Sequence, residues 1–228
     1  MKKVMFFLCM CIAINGYPSL FMTHAYLAEK WIEAHDLTVD EKRDFMLGNL
    51  FPDIRYLCNF SRKYTHFHWV TKKQITKEKN IFIAGMKLHS YIDNKREKLI
   101  RKWKIYPKLK VVSKDHYGAF LKLLEDQILF EKYSFESVIQ VLGKTCKGEE
   151  EFTNEENIKK WHLLLLQYFH DKPSNILYLV SLFHKDIQGV SFQEIASWSK
   201  LLPVYAKDPE MISYFNDLVA EFEKSFHR

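Results

Sequence analysis

Two residues of a kind that binds metal ions, His89 and Asp93, lie four positions apart in a segment with apolar residues at helical spacing. Residues four apart share one face of an α-helix, so their imidazole and carboxylate groups can approach the same ion. Taken alone, the pair better fits a hydrogen-bonded couple on a helix surface. Upstream, Asp53 follows a proline at a turn, and His66 lies in an aromatic stretch with His68 two positions on. Such oxygen and nitrogen ligands predict a zinc site, in which His66 is preferred but can exchange with His68.

The elements that must position these residues are predicted to be helices from Thr23 onward. Capping-box sequences, which satisfy the free amides of a helix N-terminus, start at Thr38, Thr153 and Ser191. The chain has only seven glycines and six prolines, and no Asn-Gly or Asp-Gly hairpin separates alternating strands, which favours an all-α domain. Helices are expected over residues 23–34, 81 through the 90s, 117–132, 158–169, 176–184 and 211–226. Residues 51–76 are expected to form a long, site-bearing loop.

The first residues have the composition of a secretory signal. Lys2 and Lys3 precede an apolar run over residues 4–14, which is shorter than the roughly 20 residues of a membrane span. We therefore expect a signal peptide over residues 1–16, a single domain over residues 17–228, and a secreted or periplasmic protein. An uncleaved anchor and a buried first helix are the alternatives. With 228 residues, 47% of them hydrophobic, the chain is long enough to bury a full core.

The charge balance favours an anionic partner. The formal net charge is +6, and removal of Lys2 and Lys3 with the signal lowers it by two, to +4. This mild excess suits an anionic surface or a phosphate-bearing substrate and is too small to indicate nucleic acid specifically. Cys58 and Cys146 would remain in the mature chain, either as one disulfide or as two buried thiols.

Four short motifs occur in order along the first half of the chain. They are THAYLA at residues 23–28, GNLFPD at 48–53, THF at 65–67 and GMKLHSYID at 85–93. With them the chain resembles the zinc-dependent phospholipase C family, which includes the N-terminal domain of glycosylphosphatidylinositol-specific phospholipase D. That family is structurally akin to the S1/P1-type single-strand nucleases. The resemblance covers roughly residues 20 to 130.

The resemblance implies an all-α phosphodiesterase of this type with two or three zinc ions in a cleft. By motif, the ligands of one ion would be Asp53, His66, His89 and Asp93. Asp93 would bridge to a second ion that His24 also binds. Asp53 would in addition orient or deprotonate the attacking water.

The chain departs from the family at the remaining ligand positions. No histidine follows Asp93 at the family's spacing, and no His-Xaa3-Glu sequence follows later; Glu97 and His116 are the expected replacements. The expected function is a secreted phospholipase C that acts on phospholipid headgroups at a membrane surface. One alternative is a degenerate, non-catalytic relative that binds lipid or protein. A further alternative is a single-strand nuclease, whose partner would be nucleic acid.

Overall fold

The architecture is built from helices alone in the part of the chain that the structure describes. The computed structural model describes residues 21–58, 60–182, 186 and 189–227, apart from the side chain of Tyr56; the expected signal peptide lies outside these residues. No β-strand occurs among them, so the all-α prediction is confirmed for the described chain. No helix within these residues combines the length and the apolar character that crossing a bilayer requires.

The described α-helices are numbered in chain order. They are α1 (Phe21–Glu33), α2 (Val39–Leu50), α3 (Arg55–Cys58), α4 (Lys72–Thr76), α5 (Ile81–Trp103), α6 (Tyr117–Lys132), α7 (Glu136–Val141), α8 (Lys147–Glu150), α9 (Glu155–His170), α10 (Pro173–Ser181), α11 (Phe192–Tyr205) and α12 (Pro209–Phe226). Short 3-10 turns cover Phe51–Ile54, Arg62–Tyr64, Tyr106–Lys108 and Lys114–His116.

Side-chain caps and prolines mark the helix starts. The capping box of Thr38 is formed in full, and the Ser191 side chain accepts a hydrogen bond from the amide of Glu194. The box expected at Thr153 is shifted by one residue, because Asn154 caps α9 through the amide of Asn157. Helix α10 begins at Pro173, a turn earlier than expected, since proline fits the first helical position.

Helix α5 carries two of the candidate ligands, His89 and Asp93. Its buried residues include Ala84, Leu88 and Ile92, as the apolar spacing predicted. The most extensive contact of α5 is with α2. Two glycines allow the close approach: a Cβ on Gly85 would lie 2.2 Å from the Phe45 carbonyl oxygen, and one on Gly48 would lie 2.1 Å from that of Phe82. Any larger residue at either position would force the helices apart.

Residues 51–76 do not form the long loop that was expected. They fold into two 3-10 turns and the short helices α3 and α4, which pair main-chain groups locally. The amides of Thr65 and His66, for example, both donate to the carbonyl of Arg62, at 3.1 and 2.9 Å. This segment leaves α2 and returns to pack on α5, so it brings Asp53 and His66 to the helix that carries His89.

Candidate metal centre

The side chains of Asp53, His66, His89 and Asp93 converge from three separate segments. Asp53 lies in the 3-10 turn after α2, His66 follows the turn Arg62–Tyr64, and the other two lie one turn apart on α5. Asp93 Oδ2 lies 3.6 Å from His89 Nε2 and 3.8 Å from His66 Nε2. The Asp53 carboxylate is 3.9 Å from His66 Nε2 and 4.0 Å from His89 Nε2. All four residues are buried.

A second group of ligand atoms involves His24, in the first turn of α1. Its Nε2 lies 3.3 Å from Asp93 Oδ1, the oxygen that does not face His66 and His89. The His24 ring also stacks on the His89 ring, with centroids 3.8 Å apart and planes 7° from parallel. His24, His89 and Asp93 form one metal-capable group, and Asp53, His66 and His89 form another. Asp93 thus presents one oxygen to each side.

Several ligand atoms have no hydrogen-bond partner although they are buried. They are both ring nitrogens of His24, Oδ1 of Asp53, and Nε2 of His66 and of His89. A buried polar atom without a partner costs on the order of 1–3 kcal/mol, so five such atoms in one place fit a metal-binding site. The described residues therefore contain buried His and Asp groups that can hold a metal ion.

Neighbouring groups orient the imidazoles. His89 Nδ1 donates to the main-chain carbonyl of Asn49 at 2.9 Å, which leaves Nε2 with its lone pair facing the carboxylates. His66 Nδ1 lies 3.0 Å from Thr65 Oγ1, and donation to this hydroxyl leaves Nε2 free in the same way. The Asn49 side-chain amide satisfies both its ends by donating to the His24 carbonyl at 3.0 Å and accepting from the His89 amide at 3.1 Å. Asn49 thus joins α1, α2 and α5 at the site.

Burial and nearby cations keep the histidines neutral. Burial, followed by the charges of Arg96, Lys122 and Arg62, holds the pKa of His24 well below its usual range. Burial lowers the pKa of His89 to about 4, and burial together with neighbouring positive groups strongly lowers that of His66. Burial also raises the pKa of Asp53. Neutral imidazole is the form that binds a metal, so these rings need not lose a proton at neutral pH.

The spacing of the four atoms fits a small ion. Zinc bound at about 2.0–2.1 Å in a tetrahedral site keeps its ligand atoms roughly 3.3 Å apart. The measured separations of 3.6 to 4.0 Å between the Asp and His atoms exceed this by a few tenths of an ångström. Two imidazoles with two carboxylates are a donor set that zinc accepts.

Three cationic side chains surround the two carboxylates. Arg62 Nη2 lies 3.3 Å from Asp93 Oδ2, and its side chain is 44% exposed, so it links the site to solvent. Arg55 Nε lies 3.9 Å from Asp53 Oδ1. Lys122 on α6 is buried, and burial, together with the charge of Arg96, lowers its pKa to about 7 against the opposing effect of Asp93 and Asp53. An anion that reaches this site meets positive charge on several sides.

Two acids of α6, Asp126 and Glu125, make structural contacts outside the cluster. Asp126 accepts from the amides of Met22 and Thr23 at 3.0 and 2.9 Å, and so fixes the start of α1 just before His24. Glu125 pairs with the buried Arg96 at 2.7 and 2.9 Å. Both carboxylates thereby support the site from outside it.

The structure does not bring the two expected replacement ligands to the cluster. Glu97 accepts from Arg101 Nε at 2.6 Å and from Tyr106 OH at 2.9 Å. His116 pairs with Glu194 at 2.9 Å and packs its ring edge against Trp198. Neither joins a metal-capable group among the described residues. Each already has hydrogen-bond partners outside the cluster.

His66 and His68 differ in their surroundings. His66 is buried and His68 is exposed, because the backbone turns between them and does not continue as an extended strand. Sequence reasoning did not single out Asn49, Arg55, Arg62, Thr65 or Lys122. Asn49 and Thr65 lie inside or beside the quoted motifs, whereas the arginines and Lys122 depend on long-range packing that no local pattern shows.

Comparisons with known proteins assign no relative. The chain matches no family model, no curated protein and no solved structure. The case for function therefore depends on the geometry of the site and on the motif resemblance.

Proposed function

We propose that the protein is a secreted, zinc-dependent phosphodiesterase that hydrolyses phospholipids as a phospholipase C. The observation that carries this proposal is the convergence of Asp53, His66, His89 and Asp93, in which buried atoms of Asp53, His66 and His89 lack hydrogen-bond partners. Two carboxylates and neutral imidazoles favour zinc over the all-oxygen sites of calcium and magnesium. His24 and the second oxygen of Asp93 supply part of a second site.

The surrounding residues suit a phosphate diester. A zinc ion at this site would polarise a phosphoryl oxygen and lower the pKa of a bound water. Arg62 would donate to a phosphoryl oxygen, since its guanidinium joins the exposed surface to the buried carboxylates. Asp53, with one oxygen free of hydrogen bonds, would orient or deprotonate the water. The water oxygen would bond to phosphorus while the bond between phosphorus and the glycerol oxygen breaks. The proton that the water gives up would pass to the departing glycerol oxygen.

A non-catalytic relative is the second candidate. The observation that favours it is the engagement of Glu97 and His116 elsewhere, which leaves the described residues with two metal-capable groups that share His89. Such a protein would keep a metal ion and bind lipid or protein without turnover.

Zinc analysis and hydrolysis assays of the parent protein and of Asp93→Asn test both candidates. We expect purified protein to retain zinc after dialysis and to hydrolyse phosphatidylcholine or phosphatidylinositol, and Asp93→Asn to lose both properties without loss of helical circular dichroism. The matched control is Asp115→Asn, at an exposed carboxylate outside the cluster.

The outcomes separate the candidates. Zinc without hydrolysis supports the non-catalytic relative, and cleavage of single-stranded DNA in place of lipid supports the nuclease. A protein that binds no zinc, or an Asp93→Asn variant with unchanged zinc and turnover, overturns the proposed site.

A further inference from the structure

The segment from Ser61 to Val70, here called the lip, carries two exposed aromatic side chains beside the metal centre. Trp69 is 74% exposed and Tyr64 is 62% exposed. Trp and Tyr with one wet edge are typical of protein surfaces that meet a lipid headgroup layer. The other four tryptophans are buried or half-buried.

The lip is held rigidly at its centre, so its exposed rings do not result from a loose chain. Thr65 and His66 are buried, and the amide of Phe67 donates to Ser90 Oγ on α5 at 3.0 Å. Trp69 has a φ of 55°, a left-handed conformation that is unfavourable for a residue with a bulky side chain. Backbone strain of this kind persists where the surrounding structure imposes it, commonly at functional sites.

Positive charge accompanies the aromatic rings. Between Asp53 and Glu78 the chain has six lysines and arginines and no acidic residue. Lys63 Nζ lies 5.1 Å from the centre of the Tyr64 ring, and Lys98 Nζ of α5 lies 5.4 Å from that of Trp69. Aromatic rings beside flexible cations match an interface in which the rings enter the headgroup layer and the ammonium groups meet phosphate.

The lip also adjoins the candidate ligands. Tyr64 and Trp69 lie two positions before and three positions after His66, and Arg62 of the same segment reaches Asp93. A lipid surface that contacts the two rings would thus place its phosphates next to the metal centre.

We propose that Tyr64 and Trp69 are the aromatic anchors of a docking surface for anionic lipid bilayers, with Lys63 and Lys98 as its headgroup contacts. The role of this docking surface rests on the proposed phospholipid substrate, but vesicle binding can be measured without hydrolysis. Lipid binding and hydrolysis can therefore fail separately.

The test is flotation with vesicles of phosphatidylcholine, alone or mixed with phosphatidylserine, and with Trp69→Asn and Tyr64→Ala variants. Asn tolerates the left-handed backbone, so the Trp69 change removes the ring and keeps the local conformation. We expect binding to mixed vesicles, a blue shift of tryptophan fluorescence, and binding about tenfold weaker in each variant. The double variant Lys63→Gln, Lys98→Gln should bind mixed vesicles more than tenfold more weakly, because the loss of each positive charge weakens binding about fivefold.

Tyr178→Ala is the matched control, because Tyr178 on α10 is 55% exposed but lies outside the lip. It should bind vesicles as the parent does. Both aromatic variants should hydrolyse a dissolved short-chain phospholipid at the parent rate, provided that the protein is an enzyme.

Each result decides the inference. Vesicle binding without hydrolysis of any lipid keeps the docking surface and rejects the proposed function. Absence of vesicle binding, equal binding to both vesicle types, or equal binding by Trp69→Asn and the parent overturns the docking surface. Preferential capture of single-stranded DNA through the same two rings would also overturn it, in favour of a nucleic-acid surface.

Discussion

At the scale of single residues, the hydrogen-bond partners of the histidine ligands determine which ring nitrogen can bind a metal ion. His66 and His89 each have Nδ1 engaged, by Thr65 Oγ1 and by the Asn49 carbonyl, so that Nε2 faces the carboxylates. Such partners fix the tautomer and the ring orientation, and their loss typically lowers metal affinity. The contact of Thr65 is more easily tested, because it is made by a side chain.

Thr65→Val should weaken zinc binding by about 10- to 100-fold, since the hydroxyl that orients His66 is lost while the volume is kept. Titration against a chelator of known affinity measures this change. Thr76→Val is the control: the exposed Thr76 hydroxyl donates within α4, at 3.3 Å to the Lys72 carbonyl. Equal affinity for zinc in Thr65→Val and the parent would contradict an orienting role for Thr65.

The cysteines provide a second prediction at this scale. Cys58 and Cys146 are free thiols in the structure, with Cys146 buried and Cys58 half-buried. Burial, with the charge of Glu149, raises the pKa of Cys146 to about 12. The thiolate is the reactive form, so its alkylation at pH 8 should be negligible and should increase about tenfold per pH unit below that pKa.

Iodoacetamide labelling followed by peptide mass spectrometry measures this reactivity at Cys146. Labelling in denaturant is the control, since it should modify both thiols. Rapid native labelling of Cys146, or a disulfide between the two residues, would contradict the described burial.

At the scale of elements, the site depends on how closely α2 and α5 approach. Gly48 and Gly85 stand at their crossing, and the motifs of the sequence contain both. Asn49 follows Gly48, and His89 lies one turn after Gly85, so the glycines set the distance between Asn49 and the ligand that it orients. The close approach of the two helices explains why a glycine accompanies Asn49 in one motif and His89 in the other.

Gly85→Ala should destabilise the fold by about 3 kcal/mol or more, because its Cβ would lie 2.2 Å from a main-chain oxygen that cannot rotate away. Urea unfolding followed by circular dichroism measures the loss. Gly143→Ala is the control, since its Cβ would meet nothing closer than 3.8 Å, and it should be neutral or slightly stabilising. Similar unfolding midpoints for both variants would show that the helices can separate without cost.

The elements were more predictable than their contacts. Both ends of α6, at Tyr117 and Lys132, agree with the sequence-based expectation. The cap of α9 differs by one residue from the expected Thr153, because Asn154 caps the helix. The apolar span expected from residue 176 begins a turn after the true start of α10 at Pro173. The ligand pair on α5 is a local pattern, and so is the pairing of Glu97 with Arg101 four residues on, whereas the contact of His116 with Glu194 depends on a distant part of the chain.

At the scale of the whole molecule, a buried ion pair joins the helices around the site. Arg96 of α5 and Glu125 of α6 are fully buried, and Tyr214 of α12 also donates to Glu125. Burial alone would lower the pKa of Arg96, but the adjacent Glu125 raises it, so the guanidinium stays charged. Together with Asp126, which fixes α1, this network sets the positions of the helices that carry His24, His89 and Asp93.

A double-mutant cycle on this pair should be strongly non-additive. Arg96→Met or Glu125→Leu alone leaves one charge buried without its partner, which typically costs about 3–5 kcal/mol, whereas the double variant leaves no charge and should cost less than the sum. Urea unfolding of the four proteins gives the coupling energy. Lys159→Met with Glu155→Leu is the comparison, since that pair is exposed on α9 and should couple by less than about 1 kcal/mol. If the two cycles gave equal coupling, the buried pair would not be what holds α5 against α6, and the helix positions would depend on apolar packing alone.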